Sequence, residues 1–516
     1  MRSGAWFNLK MPVMEIRSLI DALTALYRQI LKQEQQASEI ASWVHPDYRQ
    51  SALNLYHYLV LRSSDLRDLH DPLSDLGVSS LRSAEGYVLR NLHDVVRNLN
   101  CIAGTPWEEP IPANSIGYRD SKELLWEQTA RLFGRPKAQQ RTEIMVTLTP
   151  AMAENPDLLA DLAQSGMSVA RINLAKDDEV AWQAMVDAVR QAGEASGRVV
   201  RIYMDLGGPK IRTQFPEGCG PVPLENGQRF WLQKALVSPA QFNAALEDAT
   251  GATPLRLNTT LPEILDRLER GDLIYFDDGL VKARVVAREA EGAQIEIVQT
   301  HQGKLKSDKG INIPGRDLEL PSLTERDLET LPFVARNADL VGYSFVNKPE
   351  DVRRLYEELE RLHAPNLGVV FKIETPMAFD NLPQILLAGM KRNRIGVMIA
   401  RGDLAVELGF DRISEVQNEI LWFCEAAHVP VIWATQVLDT LAKTGIATRA
   451  EISDVTLGTR SECVMLNKGA HILEAVKILK TILERMQAHT SKKKDALREL
   501  NVARRSLERL RKIPAL

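Results

Sequence analysis

The spacing of apolar residues changes character twice along the chain. Over the first 135 or so residues it keeps a helical period: Leu89, Leu92, Val96 and Leu99 recur at intervals of 3, 4 and 3, one stripe of an amphipathic helix. Ser83 is placed to cap that helix, and Asp71-Pro72 and Asp75-Leu76-Gly77 read as turns. The Tyr and His residues of the run NLYHYLVL read as packing, and no nucleophile–base pair or metal cluster stands out here. The expectation is an all-helical accessory domain over residues 1–138.

From Thr142 short β-rich runs alternate with helical stretches: EIMVTLTP, DLLADLAQSG, MSVARINL, then RVVRIYMDLGGPKIRT. Strands alternating with helices imply parallel β-α-β units. The rhythm breaks after about Thr213, where RFWLQKALV, GDLIYFDDGLVKARVV and GAQIEIVQT follow each other as short β-like runs. It resumes with DLVGYSFV, LGVVFKIE, RIGVMIARGD, VPVIWATQ and ECVMLNKG. About eight strands flank the interruption, the number that closes a (β/α)8 barrel. The predicted architecture is therefore α/β: a TIM barrel over 139–213 and 307–490, an inserted small β-barrel domain over 214–306, and a basic helical tail over 491–516.

Composition narrows the class without changing this picture. Of the residues 45% are hydrophobic and 26% charged, a balance suited to large buried cores. The net charge of -4 argues against a nucleic-acid partner, which calls for a basic excess. Cys101, Cys219, Cys424 and Cys463 are scattered, with no CxxC pair, and read as reduced thiols. No apolar run reaches the roughly 18 residues of a membrane helix, so no membrane partner is expected. The N-terminus lacks a compact secretory segment, and the expected location is cytoplasmic.

In a TIM barrel reactive groups belong at the C-terminal strand ends. Those ends carry Arg171 and Asn173, Asp205, Lys372 and Glu374, Arg401 and Asp403, and Thr435 and Gln436. Buried strands have no packing reason to end in charged or polar groups, so five such ends imply a site. Glu374 and Asp403 are hard oxygen donors suited to Mg2+, which usually takes one or two carboxylates plus substrate oxygens. Arg171, Arg212 and Lys372 can offset charge on a transferring phosphoryl group, a reaction that needs positioning and cations rather than a covalent nucleophile. Thr435 could hydrogen-bond a carboxylate or relay a proton, and Gly402 lets the backbone of Arg401-Gly402-Asp403 approach an anion. No P-loop, protein-kinase glycine loop or HExxH is present.

With these residues stand TLTPAM (147–152), SGMSVARINL (165–174), MDLGGPKIRT (204–213), YFDDGLV (275–281), KGINIPGRDLELPSLTERD (309–327), FKIETP (371–376), MIARGDLAVEL (398–408), WATQVLDTL (433–441) and TRAEISDV (448–455). In this order the motifs resemble the pyruvate kinase family over roughly 142 to 490. The resemblance implies a glycolytic transferase that converts phosphoenolpyruvate and ADP to pyruvate and ATP, with Mg2+ or Mn2+. It implies that Lys372 bridges the phosphoryl group, Glu374 and Asp403 hold the metal, and Arg171 contacts the substrate phosphate. Gly402 and Asp403 would also line the substrate, Thr435 would sit beside the enolate, and Pro150, Arg212 and Lys309 would serve the nucleotide.

The departures are specific. In the family's monovalent-cation site Asn173 and Asp205 remain, but Ala175 and Lys176 replace its Ser and His. Lys210 stands where potassium-dependent members commonly have Glu, and is expected to act as an internal cation that removes the K+ requirement. The family's Gly-Glu-Thr-Ala loop near the nucleotide reads Asn467-Lys468-Gly469 here, and Leu206-Gly207 replaces Thr-Lys. The alternative reading is thus an altered or inactive barrel with a different acceptor, or a sensor or scaffold. The sequence ends soon after the barrel pattern, so the family's sugar-phosphate regulation is not expected, and a homo-oligomer, favouring a dimer, is.

Overall fold

The computed structural model describes residues 13–134, 142–248, 253–301, 303–489 and 499–512. Eight parallel strands close a barrel: β1 (Glu143–Thr147), β2 (Met167–Asn173), β3 (Arg201–Asp205), β4 (Leu340–Tyr343), β5 (Gly368–Ile373), β6 (Ile395–Ala400), β7 (Val431–Ala434) and β8 (Cys463–Leu466). Most of their residues are buried on both faces, which is why the sequence shows continuous Val/Ile-rich runs instead of alternation. Helices follow the strands and cover the barrel.

The interruption after β3 holds a seven-stranded sheet and a two-stranded ribbon among the described residues, and the sheet's two end strands meet, Arg212 bridging Gly310 and the Ile311 amide donating to the Ile211 carbonyl at 2.8 Å, as a small β-barrel requires. Its core, which includes Phe230, Phe242, Phe276 and Ile295, is separate from the core of the barrel. Thr213 and Lys309 form its hinge: the Thr213 amide donates to the Lys309 carbonyl at 2.8 Å.

The N-terminal helices share one continuous apolar core with the barrel's outer layer, through residues such as Leu23, Leu59 and Leu92. The helix Tyr118–Phe133 delivers Leu132 and Phe133 into the barrel interior beside Met145, Tyr203 and Met398. Room for Leu132 comes from absent side chains on two strands. A Cβ on Gly396 would stand 2.6 Å from Leu132 Cδ2, and one on Gly368 3.0 Å from Leu132 Cδ1. Removing a buried leucine typically costs roughly 2–5 kcal/mol, so this helix belongs to the barrel's own packing.

Three local expectations are revised. The stripe through Leu89 forms the helix Val88–Ala103, but its cap is not Ser83. A 3-10 turn over Glu85–Tyr87 intervenes, and Asn54 Oδ1 of another helix accepts from the Val88 amide at 2.9 Å. Pro72 lies inside the helix Arg67–Asp75 and does not end it. Of the expected tail, 491–498 and 513–516 lie outside the described residues. The helix Asn501–Leu510 buries Val502, Ala503, Leu507 and Leu510, while Arg505 pairs with Asp380 at 3.3 Å.

His428 ties the two regions together. Its ring shares hydrogen bonds with Ser51 Oγ (3.1 Å), the Gly86 carbonyl (2.9 Å) and Ser121 Oγ (3.2 Å). Burial pushes its pKa down from 6.5 to about 4. The depressed value makes its contribution complete above pH 6.5 and progressively lost as the pH falls to about 4. The loss amounts to about 3 kcal/mol over that window. Urea unfolding measured from pH 7 to 4 should therefore show a stability decline that is shallower in His428→Gln; equal slopes would contradict the assignment.

Candidate functional site

The C-terminal ends of the barrel strands open into a cleft of about 560 Å3. At its base Asp205, which ends β3, is 1% exposed and meets two cations. Arg171 of β2 reaches Asp205 Oδ2 through Nη2 at 2.5 Å and Nε at 3.1 Å; Lys372 Nζ of β5 lies 3.4 Å from the same oxygen. Tyr203 donates its hydroxyl to Asp205 Oδ1 at 3.1 Å. Burial alone would raise the Asp205 pKa, but Lys372 and Arg171 hold it below the usual carboxylate range.

Lys372 also lies 3.0 Å from Glu374 Oε1 and donates to Ser344 Oγ at 2.7 Å. Its ammonium stays charged: burial disfavours the charge, and Asp205 and Glu374 more than restore it. The second oxygen of Glu374 accepts from the Phe345 amide at 2.7 Å. Burial raises the pKa of Glu374, with Lys372 opposing and Asp403 repelling. Glu374 is placed where β5 turns into the short helix Pro376–Asp380, capped by Thr375 Oγ1. Asp403 lies in the first turn of the helix Arg401–Leu408, where a carboxylate is favoured.

Thr435 and Gln436 follow β7 in left-handed backbone, at φ 66° and 53°. For a β-branched residue this costs on the order of 1–3 kcal/mol and persists only where neighbours enforce it. Arg401 does so. It donates to the Ala434 carbonyl at 2.9 Å and the Thr435 carbonyl at 2.6 Å, is paired with Asp454, and stacks 4.5 Å from the Trp433 ring centroid. The result is a Thr435 Oγ1 with no hydrogen-bond partner among the described residues, next to Gly402. Gly208 is needed for space as well: its φ is 63°, and a Cβ would meet Phe345 and Ser344 at 2.9 Å.

Of the residues expected from sequence, Arg171, Asp205, Lys372, Glu374, Gly402, Asp403 and Thr435 line this one cleft, with Asn173, Pro150, Arg212 and Lys210. Lys309 sits on the hinge, bound to Asp277 at 2.8 Å. Arg401 supports the site from behind. Lys210 meets Asp403 within this cleft. Its Nζ lies 2.9 Å from both oxygens of Asp403, because Asp205 is already neutralised by Arg171 and Lys372 while Asp403 has no other ion-pair partner among the described residues. Asn173 Oδ1 accepts from the Ala175 amide instead.

Sequence reasoning missed Thr147, which accepts from Arg171 at 3.1 Å, Ser344, and Asn312, which donates to Asp403 at 3.4 Å. Thr147 and Ser344 stand at the ends of β1 and β4, so the strand-end rule could have found them. Asn312 reaches the cleft from the inserted sheet, and nothing local in sequence marks it.

Fold and cleft together define an eight-stranded barrel carrying a lid-like insertion and a buried cation–carboxylate cluster at its strand ends. A family model described as "Pyruvate kinase, barrel domain" matches residues 139–472. The chain belongs to the pyruvate kinase family. It is 31% identical over 362 residues to a pyruvate kinase of Staphylococcus saprophyticus subsp. saprophyticus, covering 69% of this chain and 58% of the relative. It is 32% identical over 356 residues to one of Geobacillus stearothermophilus, covering 68% and 57%. The chain thus spans less than two thirds of the length of these curated relatives.

The cluster makes a stability prediction independent of activity. Asp205→Asn leaves Arg171 and Lys372 buried without their shared carboxylate, and should cost roughly 3–5 kcal/mol in denaturant unfolding. A loss below about 1 kcal/mol would show that the cations are already compensated elsewhere.

Proposed function

We propose that this protein transfers the phosphoryl group of phosphoenolpyruvate to ADP, forming pyruvate and ATP in the cytoplasm. The observation that carries the reading is the convergence of Arg171, Lys372, Glu374 and Asp403 in one cleft of a barrel of this family. A terminal oxygen of ADP attacks phosphorus, the bond from phosphorus to the enolate oxygen breaks, and the methylene carbon of the enolate takes a proton to give pyruvate. Lys372 and Arg171 stabilise the transferring group and the substrate phosphate by charge. Thr435, whose hydroxyl has no hydrogen-bond partner among the described residues, binds the substrate carboxylate or passes on the proton. Pro150, Arg212 and Lys309 serve the nucleotide, and the insertion 214–306 closes as a lid over it.

Glu374 and Asp403 suit Mg2+ or Mn2+. Both are hard-oxygen donors in the same cleft, and Mg2+ usually takes one or two carboxylates with substrate oxygens completing its shell. The ion supplies charge neutralisation of the phosphoryl oxygens when bound. Lys210, paired with Asp403, provides a fixed positive charge in the cleft that Asn173 and Asp205 also line, and makes K+ unnecessary.

The domain limits 1–138, 139–213 with 307–490, 214–306 and 491–516, and a homodimer, are part of the same proposal. So is the absence of nucleic-acid and membrane partners; among the described residues no helix is long and apolar enough to cross a membrane. A second reading, transfer to a different acceptor or a sensor role, rests on the altered segment Asn467-Lys468-Gly469, of which Asn467 and Lys468 line the cleft and add a lysine to it.

Pyruvate formation from phosphoenolpyruvate and ADP with Mg2+, assayed with and without K+, tests the reading. Turnover should be indifferent to K+, fall at least about a hundredfold in Lys372→Ala, and become K+-dependent in Lys210→Glu. Absence of turnover in both salts, with phosphoenolpyruvate binding retained, would favour the second reading.

A further inference from the structure

A second cavity, of about 460 Å3, lies on the other side of Lys210 and Phe345 from the cleft. It is bounded by the returning hinge of the insertion, the loop after β5, and Arg509 of the C-terminal helix Asn501–Leu510. Its walls are largely apolar: Ile211, Ile313, Leu320, Phe345, Pro376 and Met377 all contribute. The volume falls within the range of small-molecule sites, and pockets at junctions between structural units are favoured places for them.

The charges at its edge identify the kind of occupant. Each of its three cations is already satisfied. Lys210 is bound to both oxygens of Asp403 at 2.9 Å, and Arg316 is paired with Asp272 at 2.8 Å and Glu269 at 2.5 Å. Arg509 donates to the Asp380 carbonyl at 3.0 Å and to Asn381 Oδ1. Two of the carboxylates are also paired, Glu319 with Arg267 at 2.6 Å and Asp380 with Arg505 at 3.3 Å.

The other two are not. Asp317 accepts from the Glu319 amide, and Glu407 accepts from Asn312 Nδ2 at 2.9 Å and from the Ile313 backbone. Neither has an ion-pair partner among the described residues. Glu407 is the more telling, because it is mostly buried against an apolar wall and burial pushes its pKa up to about 7. A buried carboxylate is normally paired, and here the pair is missing on the side that faces the cavity.

We propose that this cavity is a binding site for a small organic cation: an apolar or aromatic body against Phe345, Pro376 and Met377, with a protonated amine on Glu407. The site differs from the phosphoryl-transfer cleft in chemistry, since that cleft collects cations for an anionic substrate. It also touches the cleft. Phe345 holds Glu374 through its backbone amide, and Asn312 bridges Glu407 and Asp403. An occupant therefore bears on both carboxylates from behind.

The test uses the full chain and two isosteric probes, 2-phenylethylammonium and 2-phenylethanol, with affinities read from ligand-detected NMR titrations. The ammonium should bind at least about tenfold more tightly than the alcohol, with that preference lost in Glu407→Gln. Met377→Trp, which fills the cavity, should abolish binding of both. Cooperative thermal unfolding checks that each variant folds; if one does not, the ammonium–alcohol comparison on the native chain still decides. Equal affinities for the two probes, no binding of either, or full binding to folded Met377→Trp would overturn the proposal. None of these readouts requires turnover, so failure here leaves the phosphotransferase reading untouched, and the reverse holds as well.

Discussion

Asp205 is out of water at the end of a barrel strand, and it is one carboxylate serving two buried cations on two other strands. Charges in such a place are tolerated only when geometry and hydrogen bonding are nearly complete. That requirement fixes much around it. Arg171 and Lys372 must come from β2 and β5 at matching depth, which the parallel register provides by setting Asn173 opposite Asp205 and Gly342 of β4 between β3 and β5. Gly342 is itself demanded by the cluster, since a Cβ there would lie 2.4 Å from Asp205 Oδ1. The cations are thereby held in place before any anion arrives, and preorganised charge is what phosphoryl transfer asks of a protein.

Other parts of the molecule stabilise arrangements that would be unfavourable alone. Arg401 holds Thr435 in a backbone conformation a threonine avoids. Lys210 and Asn312 keep Asp403 charged despite burial, which would otherwise raise its pKa. The helix Tyr118–Phe133 fills the barrel from within, and the C-terminal helix braces the loop after β5, which begins with Glu374. A domain that looks accessory in sequence is, in packing terms, continuous with the barrel.

The barrel was readable because buried parallel strands produce continuous apolar runs, and because the strand-end rule converts a one-dimensional pattern into a face. Arg171, Asp205, Lys372, Glu374, Asp403 and Thr435 were all found that way. What escaped was set by long-range geometry. The position of the Lys210 ammonium depends on which carboxylate is already neutralised, and Asn312 enters from the insertion. Ser83 yielded its capping role to Asn54, which accepts from the Val88 amide across 34 residues of chain.

Binding of Mn2+, followed by electron paramagnetic resonance with and without phosphoenolpyruvate, bears most directly on a cleft of two carboxylates and preplaced cations. Phosphoenolpyruvate should tighten Mn2+ binding, and Glu374→Gln should weaken it at least about tenfold while the fold is kept. Mn2+ binding that ignores both the substrate and the loss of Glu374 would contradict the assignment of this cleft.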